Sequence, residues 1–210
     1  MDDWMQPASP GELPRRSSLQ NSSAEPMAAS AVVIETNRLR MRALHDGDLA
    51  DLVNLANNWQ VARWLSTMPY PYTEADGREW IARVHQNHAT GRPRRFAIAL
   101  KEPDRLIGGV RLDGSTGDDS EEPALGYWLG QPCWRNGYAR EAVASIIEYG
   151  LRNLGMETIR AYTDPSNLAS QKVLLRCGLK KIGEIDLVKP TRLGARRAPL
   201  FRISQREFSP

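Results

Sequence analysis

Residues 125–142 read Leu125-Gly126-Tyr127-Trp128-Leu129-Gly130-Gln131-Pro132-Cys133-Trp134-Arg135-Asn136-Gly137-Tyr138-Ala139-Arg140-Glu141-Ala142. Leu125 to Leu129 is a short apolar run bounded by turn residues, the pattern of a buried strand. From about Gly137 to Leu154, the residues Ala139, Ala142, Val143, Ile146, Ile147 and Gly150 fall on one helical stripe, and Gly155 is a natural stop. Between strand and helix lies Trp134-Arg135-Asn136-Gly137-Tyr138-Ala139. Gly137 lets the backbone approach a ligand closely. The first-turn amides have no partner within the helix, and its macrodipole favours an anion there. A pyrophosphate fits such a site. The same glycine also serves a purely steric turn. The loop is neither a Gly-x-Gly-x-x-Gly fingerprint nor a P-loop, because no Gly-Lys-Ser/Thr follows.

Working outward, Leu39, Met41 and Ala43 alternate with Arg38, Arg40 and Arg42, as on a half-buried strand. Asp46-Gly47-Asp48 offers helix caps ahead of Leu49, Leu52, Val53 and Ala56. Pro69 and Pro71 end that region. Thr73 to Asp76 has the form of a capping box, opening a helix with Trp80, Ile81 and Val84 on its stripe. Phe96 to Leu100, Leu106 to Leu112 and Leu125 to Leu129 read as three strands, with the polar stretch Asp113 to Glu122 as a loop. After the long helix, Thr158 to Thr163 is a strand and Asn167 to Cys177 a helix closed by Gly178. Ile182 to Val188 and Leu200 to Ile203 are the last strands. The order β-α-α-β-β-β-α-β-α-β-β predicts an α/β chain, a mixed sheet with helices on its faces, in one domain over residues 31–210.

Residues 1–30 contain Pro7, Pro10, Pro14, Pro26 and six serines, and lack β-branched residues. Such a segment cannot bury enough apolar surface to offset its ordering entropy, so it is expected to be disordered. Met27 is an alternative natural start, against a regulatory or targeting tail. Across the 210 residues, Lys+Arg total 28 and Asp+Glu 25, a net charge of +3. That excess is too small for a general nucleic-acid coat. Two cysteines exclude a disulfide scaffold and a four-cysteine zinc site. No apolar run approaches the roughly 20 residues that span a bilayer, and no signal peptide is visible. The expectation is a soluble, cytoplasmic protein.

A second segment, Asp164-Pro165-Ser166-Asn167-Leu168-Ala169-Ser170 to Gly178, is an Asn-x-x-Ser helix start. By itself it is a capped helix and no more. Together, the two segments in this order resemble the GNAT superfamily of acyl-CoA-dependent N-acetyltransferases, most closely its Rim-type branch. Four stretches carry the resemblance. Ile34-Glu35-Thr36-Asn37-Arg38-Leu39-Arg40-Met41-Arg42 resembles the opening strand. Trp64 to Thr73, with Pro69, Tyr70, Pro71 and Tyr72, resembles the link between the first helices. Residues 125–142 resemble the cofactor strand and loop, and 167–178 the second cofactor helix.

The resemblance implies acetyl-CoA as co-substrate, an amine as acceptor and no metal. It implies a mostly antiparallel sheet splayed where the strand at 125–129 diverges from that at 158–163. Main-chain groups near Trp128 and Leu129 would hold the pantetheine arm and polarise the thioester. The amides of Arg135, Asn136, Gly137, Tyr138, Ala139 and Arg140 would cradle the pyrophosphate, with the Arg135 and Arg140 side chains in reach of it. Asn167 would bond the pantetheine arm. Ser170 would sit near the sulfur as a proton donor or an orienting group. Relatives often carry a Glu just before the Leu-Gly-Tyr stretch, where this chain has Ala124. Glu121 and Glu122 stand upstream, and Glu122 is the candidate base. An α-amine, with a pKa of about 7.7–8.0, would need none. Glu141 reads as a first-turn carboxylate that complements the helix dipole.

Other residues carry weaker alternatives. Cys133 stands where a helix N-terminus lowers a thiol pKa, which keeps an acetyl-cysteine step open. His85 and His88 have no third ligand and read as a solvated helix face. Trp59, Trp64, Tyr70, Tyr72 and Trp80 divide between core and acceptor cleft. Lys189, Arg192, Arg196 and Arg197 suggest an acidic acceptor or simply a solvated turn. Three functions compete: an N-acetyltransferase acting on a primary amine, a non-catalytic acyl-CoA sensor, and an RNA-associated module. Oligomeric state is open, a homodimer included.

Overall fold

In the computed structural model, which describes residues 32–113 and 123–208, the alternating apolar segments form one sheet. The expected disorder of residues 1–30 and the candidate base Glu122 lie outside the described residues. The strands are β1 (Ile34–Glu35), β2 (Leu39–Arg42), β3 (Arg95–Leu100), β4 (Arg105–Asp113), β5 (Ala124–Leu129), β6 (Thr158–Tyr162), β7 (Lys180–Asp186) and β8 (Arg197–Ser204). Their order across the sheet is β1-β2-β3-β4-β5-β6-β8-β7. Every neighbouring pair is antiparallel except β5 with β6, which run parallel.

Period-two alternation sorts the side chains onto two faces. Phe96, Ile98, Ile107, Leu125 and Leu129 pack against Ala142, Val143, Ile146 and Ile147 of helix α4 (Tyr138–Glu148). Helix α5 (Leu168–Arg176) adds Leu174 to that layer. Their sequence neighbours Ala97 and Leu106 face the other way, onto Leu52 and Ala56 of α1 (Leu49–Ala56). Ile81 and Val84 of α3 (Glu74–His88) complete that second layer. The result is a helix–sheet–helix sandwich in one domain.

Thr73 and Asp76 form the expected capping box on α3. Asp48 does not cap α1 but closes a capping box on the preceding helical turn Asp46–Asp48, accepting from the His45 amide at 2.9 Å. The same buried carboxylate accepts from Arg42 at 2.7 Å and supplies the counter-charge that a buried guanidinium requires. Several elements also differ from the sequence reading: β7 begins and ends two residues earlier, and β8 is longer at its start. The opening strand is two short strands joined by a turn at Thr36–Arg38. An additional helical turn, α2 (Trp59–Ala62), is capped by Asn58, which accepts from the Gln60 amide. The long helix is α-helical only to Glu148 and ends in a π-turn over Tyr149–Asn153.

Candidate active site

The parallel pair β5/β6 meets at a single register pair, Ala124 with Arg160, and the strands diverge beyond it. Strand alternation identifies the groups that face the gap. Gly130 donates its amide to Ile107 at 2.9 Å, so Gly130, Trp128 and Gly126 turn their main chain toward β4. The Arg160 amide donates to Pro123 at 2.9 Å, so Leu125, Tyr127 and Leu129 turn theirs toward β6. Of the expected pair, Leu129 therefore presents main-chain groups to the gap and Trp128 does not. Trp128 packs its ring on the opposite face, beside α1 and α3. Tyr127, two residues before Leu129, turns its main chain the same way as Leu129.

The loop that follows is shaped by local bonds. The Trp134 indole donates to the Leu129 carbonyl at 2.8 Å, leaving Leu129 its amide. Asn136 Nδ2 donates to the Trp134 carbonyl at 3.1 Å. Arg135 takes a left-handed φ of 64° and Gly137 one of 80°, which reverses the chain into α4. Among the described residues, the amides of Arg135, Asn136, Gly137, Tyr138, Ala139 and Arg140 donate to no main-chain carbonyl, whereas Glu141 N already bonds Gly137 O. The Arg135 and Arg140 side chains are exposed and enter no ion pair among the described residues.

Helix α5 lies against both parts. Cys177 Sγ reaches the Arg140 carbonyl at 3.5 Å, joining α5 to the start of α4. Asn167 caps α5 by accepting from the Ser170 amide at 3.1 Å. Ser170 Oγ lies 2.9 Å from the Tyr127 hydroxyl. The fold thus sets Ser170, and with it Asn167, beside β5 at Tyr127, and sets the other end of α5, at Cys177, beside the loop at Arg140. Tyr127, which the sequence reading does not single out, stands beside the candidate residue Ser170. Its position two residues before Leu129 puts it on the same strand side, which is the signal that could have found it. Burial pushes its hydroxyl up to about 12 despite the bond from Ser170, so it remains protonated at neutral pH.

Two further residues organise the rim. Asp164 is buried and accepts from the Ser166 amide at 2.9 Å and from the Ser166 and Thr191 hydroxyls, both at 2.5 Å. Burial works to raise its pKa, but these bonds outweigh it and hold the carboxyl below the usual range. Arg192 donates to the carbonyls of Leu65, at 3.3 Å, and Met68. It thereby ties the β7–β8 loop to the link before α3. Arg197 pairs with Glu184 and Asp186, each at 3.3 Å. Two of the loop's four cations are thus already engaged.

The aromatic residues divide. Tyr72 is buried, and Trp80 packs on the α1/α3 cluster. Trp59 and Tyr70 form an exposed pair with ring centres 5.3 Å apart. The Cys133 thiol is not activated: partial burial raises its pKa, which removes the ground for an acetyl-cysteine step. His85 and His88 bond the Leu44 and Arg95 carbonyls through Nε2 and serve the packing of α3. Among the described residues, no group of three His, Cys, Asp or Glu side chains is arranged to hold a metal ion. No helix among them is long and apolar enough to cross a membrane.

Residues 38–180 match the family model described as acetyltransferase (GNAT) domain. A relative from Bacillus licheniformis, named as the uncharacterised N-acetyltransferase p20, is 26% identical over 174 residues, covering 83% of this chain and 97% of the relative. Among solved structures, an acetyltransferase of the GNAT family from Bacillus anthracis superposes with a TM-score of 0.71 at 20% identity, covering 84% of this chain and 100% of that one. Mycobacterium smegmatis RimJ in complex with CoA disulfide superposes with a TM-score of 0.69 at 18% identity, covering 86% and 89%.

Proposed function

The chain belongs to the acetyltransferase (GNAT) domain family, and from that membership we propose that it moves an acetyl group from acetyl-CoA to a primary amine. The observation that carries the reading is the gap beyond Ala124/Arg160 lying next to unbonded amides at residues 135–140. A pantetheine arm needs main-chain partners along a strand, and a pyrophosphate needs clustered N–H donors. Tyr127 and Leu129 offer the first, and Arg135 to Arg140 the second. Asn167, already a cap, adds a side-chain amide at the β5 end of this path, next to Ser170 and Tyr127.

In this reaction the neutral amine nitrogen attacks the thioester carbonyl carbon. The Leu129 amide stabilises the developing oxyanion. The carbon–sulfur bond breaks, the nitrogen gives up a proton, and the departing thiolate takes one with Ser170 beside it. Holding both reactants in line supplies most of the acceleration. Glu122 is the candidate base, and an α-amine acceptor is neutral often enough near pH 8 to react without one. The acceptor is a protein N-terminal α-amine or a small-molecule amine. We read the enzyme as cytoplasmic.

The test is calorimetric titration of acetyl-CoA into the purified chain, followed by thiol release with a panel of peptide α-amines and small amines. Micromolar binding with amine-dependent thiol release is expected. Binding with no release for any amine would turn the reading to an acyl-CoA sensor. No binding at millimolar acetyl-CoA by a folded chain would end it.

A further inference from the structure

The turn Thr36-Asn37-Arg38 between β1 and β2 and the first turn of α4 are about a hundred residues apart in the chain, yet they meet around one carboxylate. Glu141 Oε1 accepts from the Thr36 hydroxyl at 2.6 Å and from the Arg38 amide at 2.8 Å. Glu141 Oε2 accepts from Arg38 Nε at 2.8 Å and pairs with Nη2 at 2.7 Å. The remaining arm of the fork, Nη1, donates to the Asn136 carbonyl at 3.0 Å. The guanidinium also lies over the Tyr138 ring, 4.6 Å from its centre. Its Nη2 stands 3.4 Å from where a Cβ on Gly137 would be. One arginine therefore touches the loop at Asn136, Tyr138 and Glu141 and stands beside Gly137.

We propose that Arg38 is a positioning residue for the pyrophosphate loop, aiming the Gly137 amide and cancelling the charge of Glu141. The inference rests on the acetyl-CoA reading above. Two physical arguments carry it. In a trans peptide the carbonyl and the following N–H point in opposite directions. Holding the Asn136 carbonyl on Arg38 therefore turns the Gly137 N–H to the opposite side, among the other unbonded amides of the loop. The second argument is electrostatic. A carboxylate in the first turn of α4 complements the helix dipole, but it repels a pyrophosphate bound at the same end. Burial would favour its neutral form, yet Thr36 and Arg38 keep Glu141 ionised below the usual range. With Arg38 in place the pair is neutral and no longer opposes the field of the loop amides and of the exposed Arg135 and Arg140 side chains.

Four expectations follow from an arginine that acts through the loop. Substituting Arg38→Ala weakens CoA binding on the order of tenfold or more, through lost charge-assisted bonds and an uncompensated Glu141. It leaves binding of S-acetylpantetheine, which lacks the pyrophosphate, unchanged. Adding Glu141→Gln to Arg38→Ala recovers part of the CoA affinity, because the repulsion goes even though the aim is still lost. Arg38→Lys gives an intermediate loss, since an ammonium cannot reach Glu141 and Asn136 together in the geometry of the fork.

The experiment is calorimetry with CoA and NMR titration with S-acetylpantetheine on the full chain and the three variants. Folding is checked by circular dichroism. If Arg38→Ala does not fold, Arg38→Lys carries the same comparison, with a severalfold selective loss on CoA expected. Unchanged CoA affinity in a folded Arg38 variant overturns the proposal, as does an equal fold-loss on CoA and S-acetylpantetheine. Failure of the unsubstituted chain to bind CoA overturns the acetyltransferase reading itself. CoA binding that is intact and indifferent to Arg38 overturns only the positioning role.

Discussion

The Tyr127 hydroxyl lies 2.9 Å from Ser170 Oγ and 3.3 Å from the Ser170 carbonyl oxygen, joining the strand that borders the gap to the helix that carries the candidate proton donor. When Tyr127 donates to Oγ, the serine's own hydrogen is left free to point elsewhere. Tyr127→Phe is expected to lower the rate of thiol release about fivefold, the size of one lost hydrogen bond, with acetyl-CoA affinity unchanged. Ser170→Ala should lower the rate at least as much. Steady-state kinetics on both variants checks this, and a Tyr127→Phe variant with full activity would reject it. The raised Tyr127 pKa also sets a sign in alkali. Stability from the neutral hydroxyl is complete below pH 10 and is lost as the pH rises toward 12. Tyr127→Phe should flatten that loss in denaturant unfolding curves.

Gly137 enters α4 with a φ of 80°. A side chain there is strained by about 1 kcal/mol, and relief of that strain would turn the loop amides. Gly137→Val is expected to weaken acetyl-CoA binding about tenfold while lowering the melting temperature by only roughly 2–4 °C. Calorimetry and a thermal melt separate the two effects. A large loss of stability with intact binding would show a purely steric turn.

Arg192 spans from the β7–β8 loop to the carbonyls of Leu65 and Met68. Arg192→Ala should release these two segments from each other. Amide exchange is expected to quicken around residues 64–70 and 189–196, with acetyl-CoA affinity unchanged and the acceptor KM altered. Exchange that is unaltered in both segments would remove the link.

Asp164 has a lowered pKa in the folded chain. Its stabilisation is therefore present above the ordinary value of 3.8 and fades as the pH falls through the folded value. Asp164→Asn should reduce stability at pH 7 by roughly 1–2 kcal/mol, and the difference from the unsubstituted chain should narrow as the pH falls through the lowered folded value. Urea unfolding across an acid pH series tests this, and a difference that stays constant throughout would contradict it.

Much of the fold is legible in one dimension. The stripe of Ala142, Val143, Ile146 and Ile147 predicts α4 because helical period is a local property. The alternation around Phe96 and Ile98 predicts β3 for the same reason. Thr73 and Asp76 announce the start of α3 through a bond spanning three residues. Asp48 caps as its local sequence suggests, but the turn it caps is the short one before α1, and its pairing with the buried Arg42 has no local pattern. The extra turn α2 and the π-turn after Glu148 escape because each follows from packing at a site with no distinct local pattern.

The candidate site divides in the same way. Gly137, the loop amides and the Asn167 cap are written in the order of residues along the chain, since backbone conformation and helix ends are decided within a few residues. The role of Tyr127 rather than Trp128 depends on which neighbour each strand residue faces, and that requires the sheet. Glu141 reads in sequence as a dipole-complementing carboxylate. Only the folded chain turns it into the anchor for Arg38. The sequence by itself determines the elements and the anion-ready loop, because their causes are short-range. The tertiary structure decides the splay at Ala124 and Arg160, the Tyr127–Ser170 contact and the Arg38–Glu141 pair. These depend on segments far apart in the chain that the sheet and the helices packed on it bring side by side, and no local pattern specifies such neighbours.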